Sequence, residues 1–352
     1  MSAPWPEPHH EQLLRALLSA DAPEPAGDIP LDRATRQLLP LAYWRWPSSA
    51  SPLVQEGRRA HLTAWQQNKQ RFELLASLVA HLKTSGIPSL VLKGAALTQA
   101  HYLDPGLRPM RDVDLMVPLD HAPAAARKLV ELGFTPENGA FPNRFRVGHG
   151  WQFFQAGQSL DLHWRPLVRC FSPEITKLFW EGATSDGVPC PTDQLFHVCA
   201  HGLQWDWEPS VRWIADAWFV MRNASIDWDR LYRLAELSNM RCRLFHALHY
   251  LREKFGIMIP DETLARLAAN VPSWETSEYH LLLKPCPLNA ADSLRWHQYH
   301  FRRIRPFDQQ WSSQPYPLAF SAYLAEFLEA EGQGDFMRRL WSAVTPRFSS
   351  SS

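Results

Sequence analysis

The spacing of apolar residues changes along this chain, and the changes mark its elements. From Pro52 to Thr84, Leu62, Trp65, Phe72, Leu75, Val79 and Leu82 recur at mixed three-, four- and seven-residue intervals, which predicts one long amphipathic helix. Ser85-Gly86 ends it. An apolar run from Ile87 to Leu92 then reads as a buried strand running into Lys93-Gly94, and the Ala-rich segment that follows reads as a helix. Two further strands are apolar runs interrupted by charge, Asp112-Val-Asp114-Leu-Met-Val117 and Ser159-Leu-Asp161-Leu-His163-Trp164.

Between those strands Pro118 closes one element, and Asp120 to Leu132 reads as a helix stopped at Gly133, an ordinary place for a C-terminal glycine. An antiparallel pair is expected at Trp151 to Gln155 and Ser159 to Trp164, with Ala156-Gly-Gln between them. The order strand, helix, strand, helix, hairpin predicts an α+β fold: a small mixed sheet with helices on one face. Helical regions flank it. Upstream, a short helix spans Glu11 to Leu18, a Pro/Ala-rich break runs from Asp21 to Pro30, and helical pattern resumes near Leu31. Downstream the pattern predicts helices over Thr192 to Leu203, Val211 to Met221, Trp228 to Leu237, Arg241 to Phe255 and Asp261 to Ala269. The last segment holds a basic-aromatic stretch from Arg295 to Arg305, a helical stretch around Ala319 to Glu331, and a serine tail expected to be disordered. The chain therefore divides into an N-terminal helical region (1–85), a core (86–190), a helical subdomain (191–285) and a C-terminal extension (286–352).

Chemistry concentrates in the core. Gly94 falls where a strand hands over to a helix, so a turn without a Cβ and the helix's unpaired N–H groups could receive an anion. Asp112 and Asp114 are two residues apart on a strand, and so share a face. Adjacent carboxylates raise each other's pKa, and a divalent cation between them relieves the repulsion. Asp161 and His163 share a face by the same alternation. With three carboxylates two metal ions could be held, one activating an attacking hydroxyl and the other neutralising a phosphate leaving group.

Each of these residues has a simpler reading beside the chemical one. Lys93 could reach from the end of its strand into solvent, or contact phosphate. Arg108 and Arg111, in the loop between the helix and the Asp-x-Asp strand, could fork phosphate oxygens or merely neutralise the aspartates. His163 could act at the site or make a structural hydrogen bond. His197 and His201 share a helical face at a spacing that can bind metal, but no third ligand is near them in sequence, so they read as core or cleft residues. Asp216 reads first as a partner of Arg212, and Asp193 and Asp227 as helix caps.

Composition narrows the choices further. Lysine plus arginine equals aspartate plus glutamate at 36 each, so charge argues neither for a nucleic-acid binder nor for a membrane-surface protein. The five cysteines are scattered and form no Cys-x-x-Cys pair, which suggests reduced thiols rather than a disulfide scaffold or a zinc site. No signal peptide and no membrane-spanning run is expected, which places the protein in the cytoplasm.

The strand-Gly turn, the Asp-x-Asp strand and the later single Asp together resemble the polymerase-beta-like nucleotidyltransferase superfamily. More narrowly, Val-Leu-Lys93-Gly94-Ala95-Ala-Leu, Gly106-Leu-Arg108-Pro-Met-Arg111-Asp112-Val-Asp114 and Leu-Asp161-Leu-His163-Trp164 look like the bacterial uncharacterised nucleotidyltransferases, over roughly residues 70 to 255. The resemblance implies transfer of a nucleoside monophosphate from a nucleoside triphosphate, with release of pyrophosphate. Asp112, Asp114 and Asp161 would hold Mg2+, two ions with Mn2+ as a substitute. Lys93, Gly94, Ala95, Arg108, Arg111 and His163 would bind the nucleotide. Where the superfamily usually has Gly-Ser or Gly-Gly, this chain has Gly94-Ala95 and lacks the phosphate-binding hydroxyl, so Lys93 or the loop arginines would substitute. A small molecule or a peptide or protein side chain is the expected acceptor, with nucleic acid left open by Arg295 to Arg305. The alternative is a catalytically vestigial nucleotide-binding regulator, antitoxin-like in role.

Overall fold

The computed structural model describes residues 5–27, 29–139, 145–203, 211–284, 288–329 and 335. Three helices come first: α1 (Pro8–Leu18), α2 (Arg33–Arg45) and α3 (Pro52–Thr84). The core follows as β1 (Leu90–Leu92), α4 (Lys93–His101), β2 (Val113–Met116), α5 (Ala122–Glu131), β3 (Thr135–Pro136), β4 (Gly150–Gln155) and β5 (Gln158–His163). Helices occupy the rest: α6 (Pro173–Glu181), α7 (Pro191–Gly202), α8 (Arg212–Asn223), α9 (Trp228–Leu237), α10 (Arg241–Phe255), α11 (Asp261–Ala268), α12 (Ser273–Leu282), α13 (Ala290–Ile304), α14 (Gln309–Ser313) and α15 (Tyr316–Phe327). The serine tail expected to be disordered and tryptophans 205 and 207 lie outside the described residues.

The strands form one mixed sheet in the order β1-β2-β5-β4-β3, the α+β architecture expected. Only the β2–β5 pair is parallel, and its crossover carries α5, β3 and β4. The hairpin between β4 and β5 turns on two residues, because Gln155 already pairs with Gln158. Ala156 and Gly157 both have positive φ (47° and 78°), which suits a two-residue turn matching the twist of the flanking strands. The three-residue Ala-Gly-Gln connection expected from sequence is therefore one residue too long.

Alternation sorts the strand residues between two layers. Val91, Val113, Leu115, Leu160 and Leu162 face Leu75, Leu78 and Leu82 of α3 and Ala122, Ala125 and Leu129 of α5 in one buried cluster. Leu90, Leu92 and Met116 join a second cluster with α7, α8 and α10, so helices also cover part of the opposite face. A third cluster joins Val147 and Phe171 to α13, α14 and α15.

The 33-residue α3 begins where Ser51 accepts the Val54 N–H and Pro52 occupies the first helical position. Its buried Asn68 donates to the carbonyls of Pro105 and Arg108 at 2.6 and 2.8 Å, and His61 meets Asp104 at 2.8 Å. The long helix thus does more than cover the sheet, since it clamps the arginine-bearing loop that leads into Asp112. Gly57 lets α2 approach, because a Cβ there would lie 2.5 Å from the Leu39 carbonyl. Among the described residues no helix is long and apolar enough to cross a membrane. Cys170, Cys190, Cys199 and Cys242 are free thiols.

Candidate active site

The parallel register sets Asp114 of β2 directly beside Asp161 of β5, and Gln152 of β4 stands across from Asp161 on the other side. Ligand atoms of Asp114, Asp161 and His163 lie within 4.8 Å of one another. Asp112, one turn of the alternation earlier, lines the same cavity but is not part of that grouping. The tightest cluster is therefore two aspartates and an imidazole, where the sequence predicted three aspartates.

Asp114 is the hub. It is 2% exposed, its Oδ1 lies 2.6 Å from Lys93 Nζ, and it accepts a hydrogen bond from His163 Nε2 at 2.9 Å. Burial alone would raise the carboxyl's pKa, but Lys93 and His163 outweigh it and hold Asp114 well below the usual carboxylate range. Asp112 and Asp161 move the other way. Burial and then repulsion from Asp114 raise both, with each also raised or relieved by its other charged neighbours. Asp161 Oδ1 is buried and has no hydrogen-bond partner.

Lys93 is neither a snorkelling residue nor a strand residue. It opens α4 with φ at 45°, in the left-handed region, where a lysine is strained by roughly 1 kcal/mol. Burial opposes its charge, but Asp114, Asp161 and Asp112 carry its pKa above the ordinary lysine value. The ammonium is thus a fixed cation in the middle of the carboxylates.

Arg108 corrects the sequence reading most clearly. Its guanidinium is 5% exposed and forks Asp216 of α8, with Nε donating to Oδ1 at 2.8 Å and Nη2 to Oδ2 at 2.9 Å. Tyr102 donates to the same Oδ1 at 2.7 Å. Asp216 is consequently the partner of Arg108 and not first of Arg212, whose Nη1 donates to the Pro109 carbonyl at 2.6 Å. Gly94 has an ordinary negative φ, and its missing Cβ makes room for this arginine, since a Cβ there would stand 2.7 Å from Arg108 Nη1. Ala95 is buried at 1% exposure against the sheet. Arg111 is exposed at the cavity wall, with no ion-pair partner among the described residues.

The cavity above the aspartates measures about 330 Å3. Helical residues complete it, notably Gln194, His197 and His201 of α7, Arg212 and Trp213 of α8, and Arg33 and Gln37 of α2. The i, i+4 pair His197 and His201 joins no metal-ligand grouping among the described residues and serves as cavity wall, as the cleft reading expected. Arg212 and Trp213 belong to a segment whose motif was visible in the sequence, whereas nothing local marked Arg33 or Gln37. Of the two expected caps, Asp227 accepts the Arg230 N–H, but Asp193 instead pairs with the Arg230 guanidinium at 2.6 and 2.8 Å. The basic-aromatic stretch is helical, with Arg295 paired to Asp292, Arg303 to Glu278, and Arg305 donating to the carbonyls of Trp311 and Gln314.

Two aspartates on adjacent parallel strands, beside a strand-to-helix turn and under a helical cap, are the features of a nucleotidyltransferase-type protein. The family model described as uncharacterised nucleotidyltransferase matches residues 34–256, and the chain belongs to that family. Membership supports nucleotidyl transfer as the general chemistry and a nucleoside triphosphate as substrate. No curated protein matches the chain.

Proposed function

We propose that the chain is a Mg2+-dependent nucleotidyltransferase that moves a nucleoside monophosphate to a hydroxyl of a small molecule or of a peptide or protein side chain. The observation that carries this reading is Asp161, a carboxylate whose Oδ1 is buried without a partner beside a second buried carboxylate, at the floor of a cavity. Unpaired buried carboxylate oxygen is costly, and a divalent cation is the partner that best offsets the cost. The donor set fits, with Asp112, Asp114 and Asp161 holding the metal.

The bound metal would neutralise the developing charge on the triphosphate and lower the pKa of the acceptor hydroxyl. The chain's own groups do the rest. Lys93 supplies a partly buried positive charge beside Asp114 that a phosphate oxygen can share. Arg111 and Arg212 offer guanidinium groups at the cavity wall, while Arg108 is held by Asp216 and fixes the loop. The hydroxyl attacks the α-phosphorus, its proton passes to Asp161, the bond to the β-phosphate oxygen breaks, and pyrophosphate leaves.

Two contacts favour the second reading, a nucleotide-binding regulator without turnover. Lys93 Nζ, 2.6 Å from Asp114, occupies a place a cation would share, and Arg108 fills the space before Gly94. Incubation with each labelled triphosphate and Mg2+, with mass spectrometry of the acceptor, separates them. Labelled acceptor and pyrophosphate support the enzyme; saturable binding with neither product supports the regulator.

A further inference from the structure

Asp161 also lines a second cavity, of about 350 Å3, and among the described residues it is the wall residue that the two cavities share. On the second side its neighbours are His163, Trp151 of β4, Trp296 and His300 of α13, and Phe327 at the end of α15. No lysine or arginine lines this cavity among the described residues, and the charged groups are the carboxylates of Asp161 and Glu137. Trp296 stacks on His300, with ring centroids 5.1 Å apart and planes within 10°.

Four polar atoms of this wall have no hydrogen-bond partner among the described residues: Oδ1 of Asp161, Nδ1 of His163, Nδ1 of His300 and Nε1 of Trp151. His300 is 1% exposed and its Nε2 donates to the Val147 carbonyl at 3.2 Å, so its Nδ1 is left as an acceptor, whereas the indole Nε1 is a donor. His163 is 2% exposed and its Nε2 is taken by Asp114. Buried polar atoms without partners mark places where a ligand can complete the hydrogen bonding. A wall of flat rings with a few such atoms is the composition of a site for an uncharged, partly aromatic molecule. A polyanion would meet two carboxylates and no cation. The helices α13 and α15 lie beyond residues 34–256, so this wall is supplied from outside the matched family segment.

We propose that the second cavity is the acceptor site, binding a neutral molecule with a flat aromatic body whose hydroxyl is presented to Asp161 while the triphosphate occupies the first cavity. This rests on the nucleotidyl-transfer reading above. The two substrates would then approach Asp161 from opposite cavities, and acceptor choice would be set by the C-terminal helices.

The test uses the full chain with 2-naphthol and N-acetyl-tyrosinamide as aromatic hydroxyl probes, followed by saturation-transfer NMR, and Mg2+-ATP followed by calorimetry. Both probes should bind without being displaced by Mg2+-ATP. Trp296→Ala should weaken them about tenfold, Trp296→Phe should restore most of the affinity, and Trp151→Phe, which removes only the N–H and part of the ring, should weaken them severalfold. Binding of Mg2+-ATP should be unchanged in all three. The acceptor site is overturned if the probes fail to bind, if Mg2+-ATP displaces them, if all three variants bind as the parent does, or if oligothymidylate binds in a Trp296-dependent way. Trp296-dependent probe binding by a protein that forms no pyrophosphate from any triphosphate, with or without cell extract, would instead overturn nucleotidyl transfer, and the acceptor role with it. The two failures therefore give different results.

Discussion

The Nζ of Lys93 stands 2.6 Å from Oδ1 of Asp114, because β1 pairs with β2 so that Leu92 faces Asp114 and the next residue turns into α4 with a left-handed backbone. One ammonium thereby offsets the charge of a carboxylate cluster that would otherwise repel itself. Strain of this kind persists only where the surroundings hold it, and here the ion pair does so.

Lys93→Met should therefore separate metal binding from nucleotide binding. Loss of the competing ammonium should lower the Mg2+ concentration needed for half-saturation, while loss of a phosphate contact lowers kcat/KM for the triphosphate by about a hundredfold. Titrating Mg2+ and nucleotide independently against pyrophosphate release checks both. A parallel fall in both affinities would mean that Lys93 only holds the fold.

Asp161→Asn and Asp112→Asn should abolish pyrophosphate release without lowering the melting temperature. Burial and mutual repulsion already raise both carboxyl pKa values, so a neutral amide removes a destabilising charge from the metal-free protein. Added Mg2+ should raise the melting temperature of the parent and much less that of either variant. Retained activity in a folded, purified variant would count against the proposed site.

Gly94→Ala introduces a Cβ 2.7 Å from Arg108 Nη1 and 3.2 Å from Met110. The arginine cannot yield freely, since it is buried in a fork with Asp216. A loss of roughly 1–3 kcal/mol is expected from the crowding. Arg108→Ala should cost more, roughly 3–5 kcal/mol, because Asp216 and its Tyr102 hydrogen bond would keep a buried charge without its partner. Urea melts of the two variants, compared with Arg111→Ala at the exposed cavity wall, distinguish a structural arginine from a ligand-binding one.

Acid should unfold the protein in two stages. His297 and His300 are buried and shifted down from 6.5 to about 4 and about 3, so below pH 6.5 the unfolded chain takes up protons that the folded chain refuses, and stability drops. Glu278, buried between Arg169 and Arg303, is held at about 2 despite its burial. Its contribution is present above the ordinary glutamate value of 4.5 and is lost as pH falls towards 2. In Glu278→Gln the lower stage should flatten and the upper one remain, which circular dichroism against pH would record.

Much of this arrangement was legible in the chain. The helices α3, α9 and α10 were bounded by periodicity, with Ser85-Gly86 ending α3 and Asp227 capping α9, and the shared face of Asp161 and His163 followed from the alternation of a strand. The family motifs, read from Lys93 to Trp164, pointed to nucleotidyl transfer. The helix α13 was hidden because its aromatic and basic residues suggested a patch, whereas Arg303 is buried on Glu278 and Arg295 pairs with Asp292 of the same helix.

Periodicity, capping and turn chemistry are properties of neighbouring residues, so the sequence by itself determined the elements, the faces of the strands and the identity of the acidic residues. Which groups meet was decided by packing. Arg108 finds Asp216 across 108 residues, His163 finds Asp114 across 49, and Trp296 of α13 comes to line one cavity with Asp161 of β5 only in the folded chain. Charges are strengthened or silenced by what lies within a few ångströms in a dry interior, and no local pattern in a chain encodes that distance.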